Sequence, residues 1–317
     1  TTRTMQMPKI PGLPPGIKIP GMGDTATRSV SGRAVYAVKP VAPIYLTVPA
    51  DLKLPNNRLV LEVPKSEPGQ NEEGEETPGQ PGKPGSMEMT NKLYWHPDEA
   101  KGPVTETVKM KTPAGRGPGM GGGPSFDFGL LDLGKEASGS ETKIPATAKG
   151  QGDYVCNTGG TAALDGFLPA LKVTEPALES TDVNKGFTIK WDPVPGARGY
   201  LVAIMAMKNQ GDGNNMKMTV TSWYSTLVEP PARVRGDYQQ ATTIADDLRD
   251  GILLPGDTTS VKVPAGMFPD FDMFTVRVQG IGNDFYSNAG PTVFGTIRSE
   301  WMANKMNFGP MGGNDEE

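Results

Sequence analysis

The chain contains one histidine, His96, and one cysteine, Cys156, among 317 residues, and these two counts bound its chemistry. A Ser-His-Asp or Cys-His nucleophile would have to draw on His96. That residue stands in Leu93-Tyr94-Trp95-His96-Pro97 and reads as a surface or packing imidazole beside Trp95. One thiol makes no intrachain disulfide, and one Cys with one His cannot assemble a Cys/His zinc site. Cys156, within Tyr154-Val155-Cys156-Asn157, reads as a small buried strand residue. The nearest approaches to paired carboxylates are Asp246-Asp247 and Asp270/Asp272. The first pair suits the first turn of a helix, where acids complement the dipole, and both pairs are expected as solvated surface. No enzymatic activity, catalytic residue or cofactor is expected from this inventory.

Methionine is the chemically distinctive type present in excess. There are 16, and Met5/Met7, Met87/Met89, Met205/Met207 and Met216/Met218 form Met-x-Met pairs. Alternate residues of a strand share a face, so two thioethers can jointly ligate Cu(I) or Ag(I), which prefer soft sulfur. The competing reading is packing, because Met fills irregular gaps in a Gly-rich sandwich. The expectation is no metal, with Met205, Met207, Met216 and Met218 as the alternative Cu(I) set. The segment from Asn209 to Asn215 offers one carboxylate, too few for Ca²⁺, and its Asp-Gly reads as a hairpin turn. Arg235-Gly236-Asp237 matches a receptor-binding tripeptide but precedes a helix pattern, and reads as a chance match. Trp95, Trp223 and Trp301 are the aromatic candidates for a glycan platform.

The elements that must position these residues are strands. With 41 Gly and 31 Pro spread along the chain, no long 3.6-residue pattern survives, which excludes an all-helical protein. The longest apolar stretch, Gly199 to Met207, is far short of the roughly 18 residues of a spanning helix. Net charge is −5, with five Glu against Lys83 in residues 66–86 and Asp315-Glu316-Glu317 at the end. The rest is nearly neutral and lacks a basic stripe, so nucleic acid is not an expected partner.

Residues 1–24 form a patterned Pro/Gly segment. Met7, Ile10, Leu13, Ile19 and Met22 recur at steps of three, with Gly16 at the missing step. A polyproline II helix has three residues per turn, so these side chains share one edge, and Met7 to Met22 would reach roughly 45 Å. An apolar edge without a core must lie on something, either the chain's own body or a neighbouring chain. Residues 25–165 read as an irregular β domain, with strands at 29–38, 44–48, 58–63, 92–95 and 104–111 between Pro-rich turns. Its insertion at 66–86 is Glu-rich and then Pro/Gly-rich, a loop or linker. The Gly121-Gly122-Gly123 run lacks the Gly-Lys-Ser/Thr ending of a phosphate loop.

From about residue 166 the pattern sharpens. Phe187-Thr188-Ile189-Lys190-Trp191-Asp192-Pro193-Val194-Pro195-Gly196-Ala197-Arg198-Gly199-Tyr200-Leu201-Val202 is strand, Pro/Gly turn and strand. This resembles the B and C strands of a fibronectin type III domain, where Trp, Pro, Gly-Ala and Tyr recur in that order. The resemblance covers about 168–300. It implies a β-sandwich with Trp191, Tyr200 and Phe274 in the core, Leu171–Thr174 as strand A, and strands at 216–223, 259–263, 274–280 and 293–298. Phe274 stands where the family usually has a Tyr that ties a corner through its hydroxyl. Ile244, Leu248 and Ile252 at steps of four, a Thr242 or Thr243 cap and Gly251 mark one inserted short helix. The whole chain is also similar to uncharacterised exported bacterial proteins with a Tyr-Trp motif and a Pro-rich start, a likeness that implies no activity.

The expectation is an all-β chain with two β-sandwich-like domains, at 25–165 and 166–301, an extended arm at 1–24 and a flexible Met/Gly/acidic tail at 302–317. A start at Thr1 without Met fits removal of a signal peptide or of an initiator Met alike; the architecture inclines toward the extracellular space or cell surface, with the periplasm as an option. The expected function is non-enzymatic: a subunit or accessory of an extracellular filament, sheath or surface layer. Its partner would be itself or another extracellular protein, reached through Met7, Ile10, Leu13, Ile19 and Met22. The alternative is an extracytoplasmic binding module for a glycan or Cu(I).

Overall fold

Alternation of large apolar and polar residues, broken by Pro and Gly, builds strands almost throughout. The computed structural model describes residues 1–6, 26–30, 33–36, 44–61, 85–112, 135–138, 142–212, 215–235, 238, 243–287 and 292–307. The first strands are β1 (Thr2–Gln6), β2 (Thr27–Val30), β3 (Arg33–Tyr36), β4 (Ile44–Thr47) and β5 (Arg58–Leu61). They are followed by β6 (Gly85–Trp95), β7 (Lys101–Thr112), β8 (Lys135–Ser138), β9 (Thr142–Ile144), β10 (Gly152–Cys156) and β11 (Thr161–Leu164). The remainder comprises β12 (Val173–Glu175), β13 (Phe187–Trp191), β14 (Gly199–Asp212), β15 (Asn215–Tyr224), helix α1 (Ile244–Arg249), β16 (Leu254–Pro255), β17 (Ser260–Val263), β18 (Met273–Ser287) and β19 (Thr292–Met306). The chain is all-β with a single short α-helix among the described residues.

Two layers make the principal core. The three-stranded sheet β12-β13-β17 faces the middle of a 12-stranded sheet whose main path is β7-β6-β15-β14-β18-β19-β1-β2-β9. Period-two burial places Ile189 and Trp191 of β13, with Val261 and Val263 of β17, against Tyr200, Val202, Ile204, Val276, Val278 and Trp301 of the large sheet. Each such fully buried side chain contributes about 1.5–3 kcal/mol. The expected core residues lie here: Trp191 packs at a tilt against Tyr200 with ring centroids 5.2 Å apart, and Phe274 is fully buried against Phe268 and Phe271. The Tyr200 hydroxyl accepts the Val194 N–H at 3.1 Å, closing the Pro/Gly turn between β13 and β14.

A second core lies under the four-stranded sheet β11-β10-β4-β5, where Ile44, Leu46, Tyr154 and Cys156 pack together. Leu164 packs against both cores, joining them. A third apolar cluster sits on the outer face of the large sheet, where α1 and its flanks lay Val234, Tyr238, Ile244 and Ile252 on Leu201 and Ile281. Thr243 caps α1 by accepting the Asp246 N–H at 3.1 Å. The helix stops at Arg249, and Gly251, at φ +71°, turns the chain so that Ile252 still reaches the cluster.

Three spans differ from the sequence-based division. Thr2–Gln6, inside the expected polyproline II arm, form a β-strand, because their backbone pairs parallel to β19 from Thr2↔Ser299 to Gln6↔Ala303. Met302–Met306, placed in the expected tail, complete β19 by pairing with β18 up to Met273↔Met306. The expected limit at 165/166 is crossed by main-chain pairing: β6 runs parallel to β15 from Ser86↔Asn215 to Trp95↔Tyr224, and β7 pairs antiparallel with β6. Strands from the first half thus extend the sheet of the second. The arm residues Met7, Ile10, Leu13, Ile19 and Met22 lie outside the described residues, as do residues 66–84 of the acidic insertion and 113–134.

Candidate functional site

The edge of β19 is where the N-terminal residues meet the body. Arg3 donates from Nε to Glu300 Oε2 at 2.9 Å, and Gln279 donates from Nε2 to the other carboxylate oxygen at 2.6 Å. Glu300 is almost wholly buried. Burial pushes its carboxyl up, and the charges of Arg298, Arg277 and Arg3 with the Gln279 amide more than offset this, holding it below the usual carboxylate range. Thr2 adds a buried bond from Oγ1 to the Leu168 carbonyl at 2.9 Å. β2 then pairs antiparallel with β1 through Thr2↔Arg28 and Arg3↔Thr27. The strands flanking residues 7–25 are therefore paired with one another, and both ends of that segment are held at this one sheet edge.

The outer face of the same sheet gathers methionine. Met216 lies directly across from Met87, and Met218 from Met89. Partners in a ladder share a face, as do residues two apart, so the four thioethers form a cell about 4.8 Å by about 6.6 Å at the backbone. Met89, Met218 and Val220 are buried together, with Met87, Met205 and Met207 packed against them. The alternative set Met205, Met207, Met216 and Met218 is thus on one face, joined by Met87 and Met89 from a strand 129 positions away in register. The Met-x-Met spacing carried the signal for each pair; nothing in the sequence foretold that β6 would lie beside β15.

Of the two acidic pairs, Asp247 departs from the expectation of solvated surface, while Asp246, Asp270 and Asp272 remain partly exposed. Asp247 is buried, and its carboxylate accepts from the two terminal guanidinium nitrogens of Arg233 and from the Tyr238 hydroxyl at 2.5 Å. Burial and this charged acceptor push the Tyr238 phenol far up, while the Arg233 guanidinium, despite its desolvation, is raised by the same carboxylate. Asp246 stays near the surface, paired with Arg249 at 2.6 Å. Asp270 and Asp272 share Lys208 at 3.2 and 2.9 Å. Asp272 also accepts the Asn209 N–H at 2.7 Å, and that bond with the Lys208 ammonium lowers its pKa. These are clamps on loops and α1, satisfied by their own neighbours.

The aromatic candidates for a glycan platform are largely withdrawn into the body. Trp223 is fully buried with its Nε1 donating to the His96 carbonyl at 3.2 Å, and Trp301 is 6% exposed; Trp95 is half-buried. His96 follows β6 at φ +81°, with its N–H shared between the Tyr224 and Thr226 carbonyls, so its backbone ties the end of β6 to the end of β15. Cys156 is buried as expected, its Sγ 3.1 Å from Thr158 Oγ1. Arg235 bonds to Glu229 and to the Pro230 carbonyl, while Gly236 and Asp237 lie outside the described residues. No group of three or more His, Cys, Asp or Glu placed to hold a metal occurs among the described residues, and none of their helices is long and apolar enough to cross a membrane. Comparison with protein-family models, with curated proteins and with solved structures finds no match for the chain.

Proposed function

We propose that the chain is a structural or assembly protein outside the cytoplasm, a subunit or accessory of a filament, sheath or surface layer. The observation that carries this reading is the pairing of β1 with β2 on the β19 edge. It presents a segment whose apolar residues repeat every third position, Met7, Ile10, Leu13, Ile19 and Met22, from a fixed base. An apolar period-three pattern in the sequence between two paired strands suits docking on a neighbouring chain of the same kind or another extracellular protein. The strand order β15-β14-β18-β19 facing β12-β13-β17 supports a fibronectin type III-like reading of 168–300, an architecture common among extracellular modules.

The paired ends make the test clean. Removing residues 1–24 outright would also strip β1 and the Arg3–Glu300 bond from the sheet. Replacing only residues 7–25 by a short Gly/Ser linker leaves both strands in place, because strand geometry puts Gln6 and Ala26 within roughly 10 Å. The linker variant is expected to keep its circular dichroism and to lose the oligomers or filaments that the full chain forms, seen by light scattering and negative-stain imaging. Unchanged assembly in the linker variant would defeat the reading.

A further inference from the structure

We propose that the outer-face array Met87, Met89, Met216 and Met218, flanked by Met205 and Met207, binds one soft monovalent cation, Cu(I) or Ag(I), through its thioether sulfurs. The proposal rests on this array and is independent of the assembly reading.

The geometry is specific to two strand pairs. Met87 faces Met216 and Met89 faces Met218 across the parallel β6–β15 ladder, so the four Cα atoms define a cell of about 4.8 Å by about 6.6 Å with every side chain on the same face. Three rotatable bonds in each Met let the sulfurs converge over the middle of such a cell. Met207 sits across from Val220 on β14, one step along the face from Met218, which brings a further thioether to the rim. The residues between the methionines, Glu88 and Lys217, alternate to the opposite face, so no carboxylate or ammonium of these strands enters the cell. Neutral, polarisable sulfur gives little to Ca²⁺, Mg²⁺ or Zn²⁺ and much to a soft d¹⁰ monovalent ion.

Burial adds a second observation. Met89 and Met218 are each 6% exposed, so an ion among them would be largely shielded from water. Two residues along β6 on the same face, directly across from Val220, Asn91 has its side-chain oxygen buried with no hydrogen-bond partner. A buried carbonyl oxygen left unpaired costs about 1–3 kcal/mol, and a water carried by the ion would supply its missing donor. The donor type also fixes a signature. Imidazole and thiolate ligands must lose a proton to bind, whereas thioethers have none to lose, so binding at this array is independent of pH between about 5 and about 7.5.

The test uses the full chain in a Cys156→Ala background, which removes the one thiol that would compete for the ion. With methionine methyl groups labelled with ¹³C, Ag(I) as silver nitrate in chloride-free buffer is titrated at pH 5 and pH 7.5 and followed by NMR. The expected result is a saturable shift of the Met87, Met89, Met216 and Met218 methyl signals at one ion per chain, equal at both pH values, while the core residue Met267 does not move. Substituting Met89→Leu together with Met218→Leu preserves volume and fold, checked by circular dichroism, and abolishes the shift. Cu(I), added anaerobically, is expected to reproduce the pattern. No shift at one equivalent, a shift spread over all methionines, or an unchanged titration in the double Leu variant overturns the proposal.

Discussion

Glu300 shows how much a single side chain does at the β19 edge. Its carboxylate is buried, touches Arg3 and Gln279, and is held below the usual pKa by surrounding arginines against the upward push of burial. Because the folded pKa lies below the unfolded value of about 4.3, its contribution to stability is complete above that value. The contribution is lost as pH falls through the folded pKa. Glu300→Gln keeps the shape but removes the anion that Arg3 and Gln279 hold, and is expected to cost about 3 kcal/mol at pH 7. As pH falls below the unfolded value the gap between the two proteins should narrow, because the unfolded chain then takes up a proton that the buried carboxylate still refuses. Urea unfolding at pH 7, 5 and 3.5 checks this, and a gap that stays constant across the series would show that charge at residue 300 is not what holds β1.

At the scale of elements, α1 and its flanks depend on one buried network. Asp247 ties Arg233, Tyr238 and, through its own carbonyl, the N–H groups of Ile252 and Leu253. Asp247→Asn removes the charge while Arg233 remains mostly buried, and should cost about 3 kcal/mol in denaturant unfolding, with a loss below about 0.5 kcal/mol contradicting the assignment. From sequence this pair looked like solvated surface, because Arg233 and Tyr238 show no helical or strand spacing relative to Asp247; they reach it only after the chain folds back. Strand identities were far more legible, since period-two burial in segments such as Phe187–Trp191 is a local signal. Pairing was not. The β6–β15 and β1–β19 ladders are parallel and join distant residues, and nothing local specifies such partners. The methionine array followed the same rule: each Met-x-Met pair was visible, and their convergence was not.

At the scale of the whole molecule, the question is whether the unit that the sequence places at 166–301, carried to residue 307 by the end of β19, stands alone. The buried residues of its sandwich core, Trp191, Tyr200, Ile204 and Val276 among them, come from this half, with Tyr94 and Leu164 of the first half packed against them. Its large sheet is not complete. In the intact chain β6 covers β15 from Asn215 to Tyr224, and β1 covers β19 from Ser299 to Ala303. Excising 166–307 would bare both edges at once, and long uncovered edges template pairing with other chains. It would also uncover Met218 and Val220, now buried against Met89, and break the Thr2 bond to the Leu168 carbonyl. The excised fragment is therefore expected to associate with increasing concentration in sedimentation velocity, and to unfold at a lower urea midpoint than the chain with residues 7–25 replaced by linker. That linker chain is the proper reference because it keeps both edges covered and lacks the segment proposed to drive native assembly. A fragment that remained monomeric with the same midpoint would mean that β1 and β6 decorate an already closed sandwich. Association of the fragment alone would mean that the first half of the chain works as an edge cover, and that assembly of the intact chain must draw on something other than these two edges, for which the sequence between β1 and β2 is the candidate.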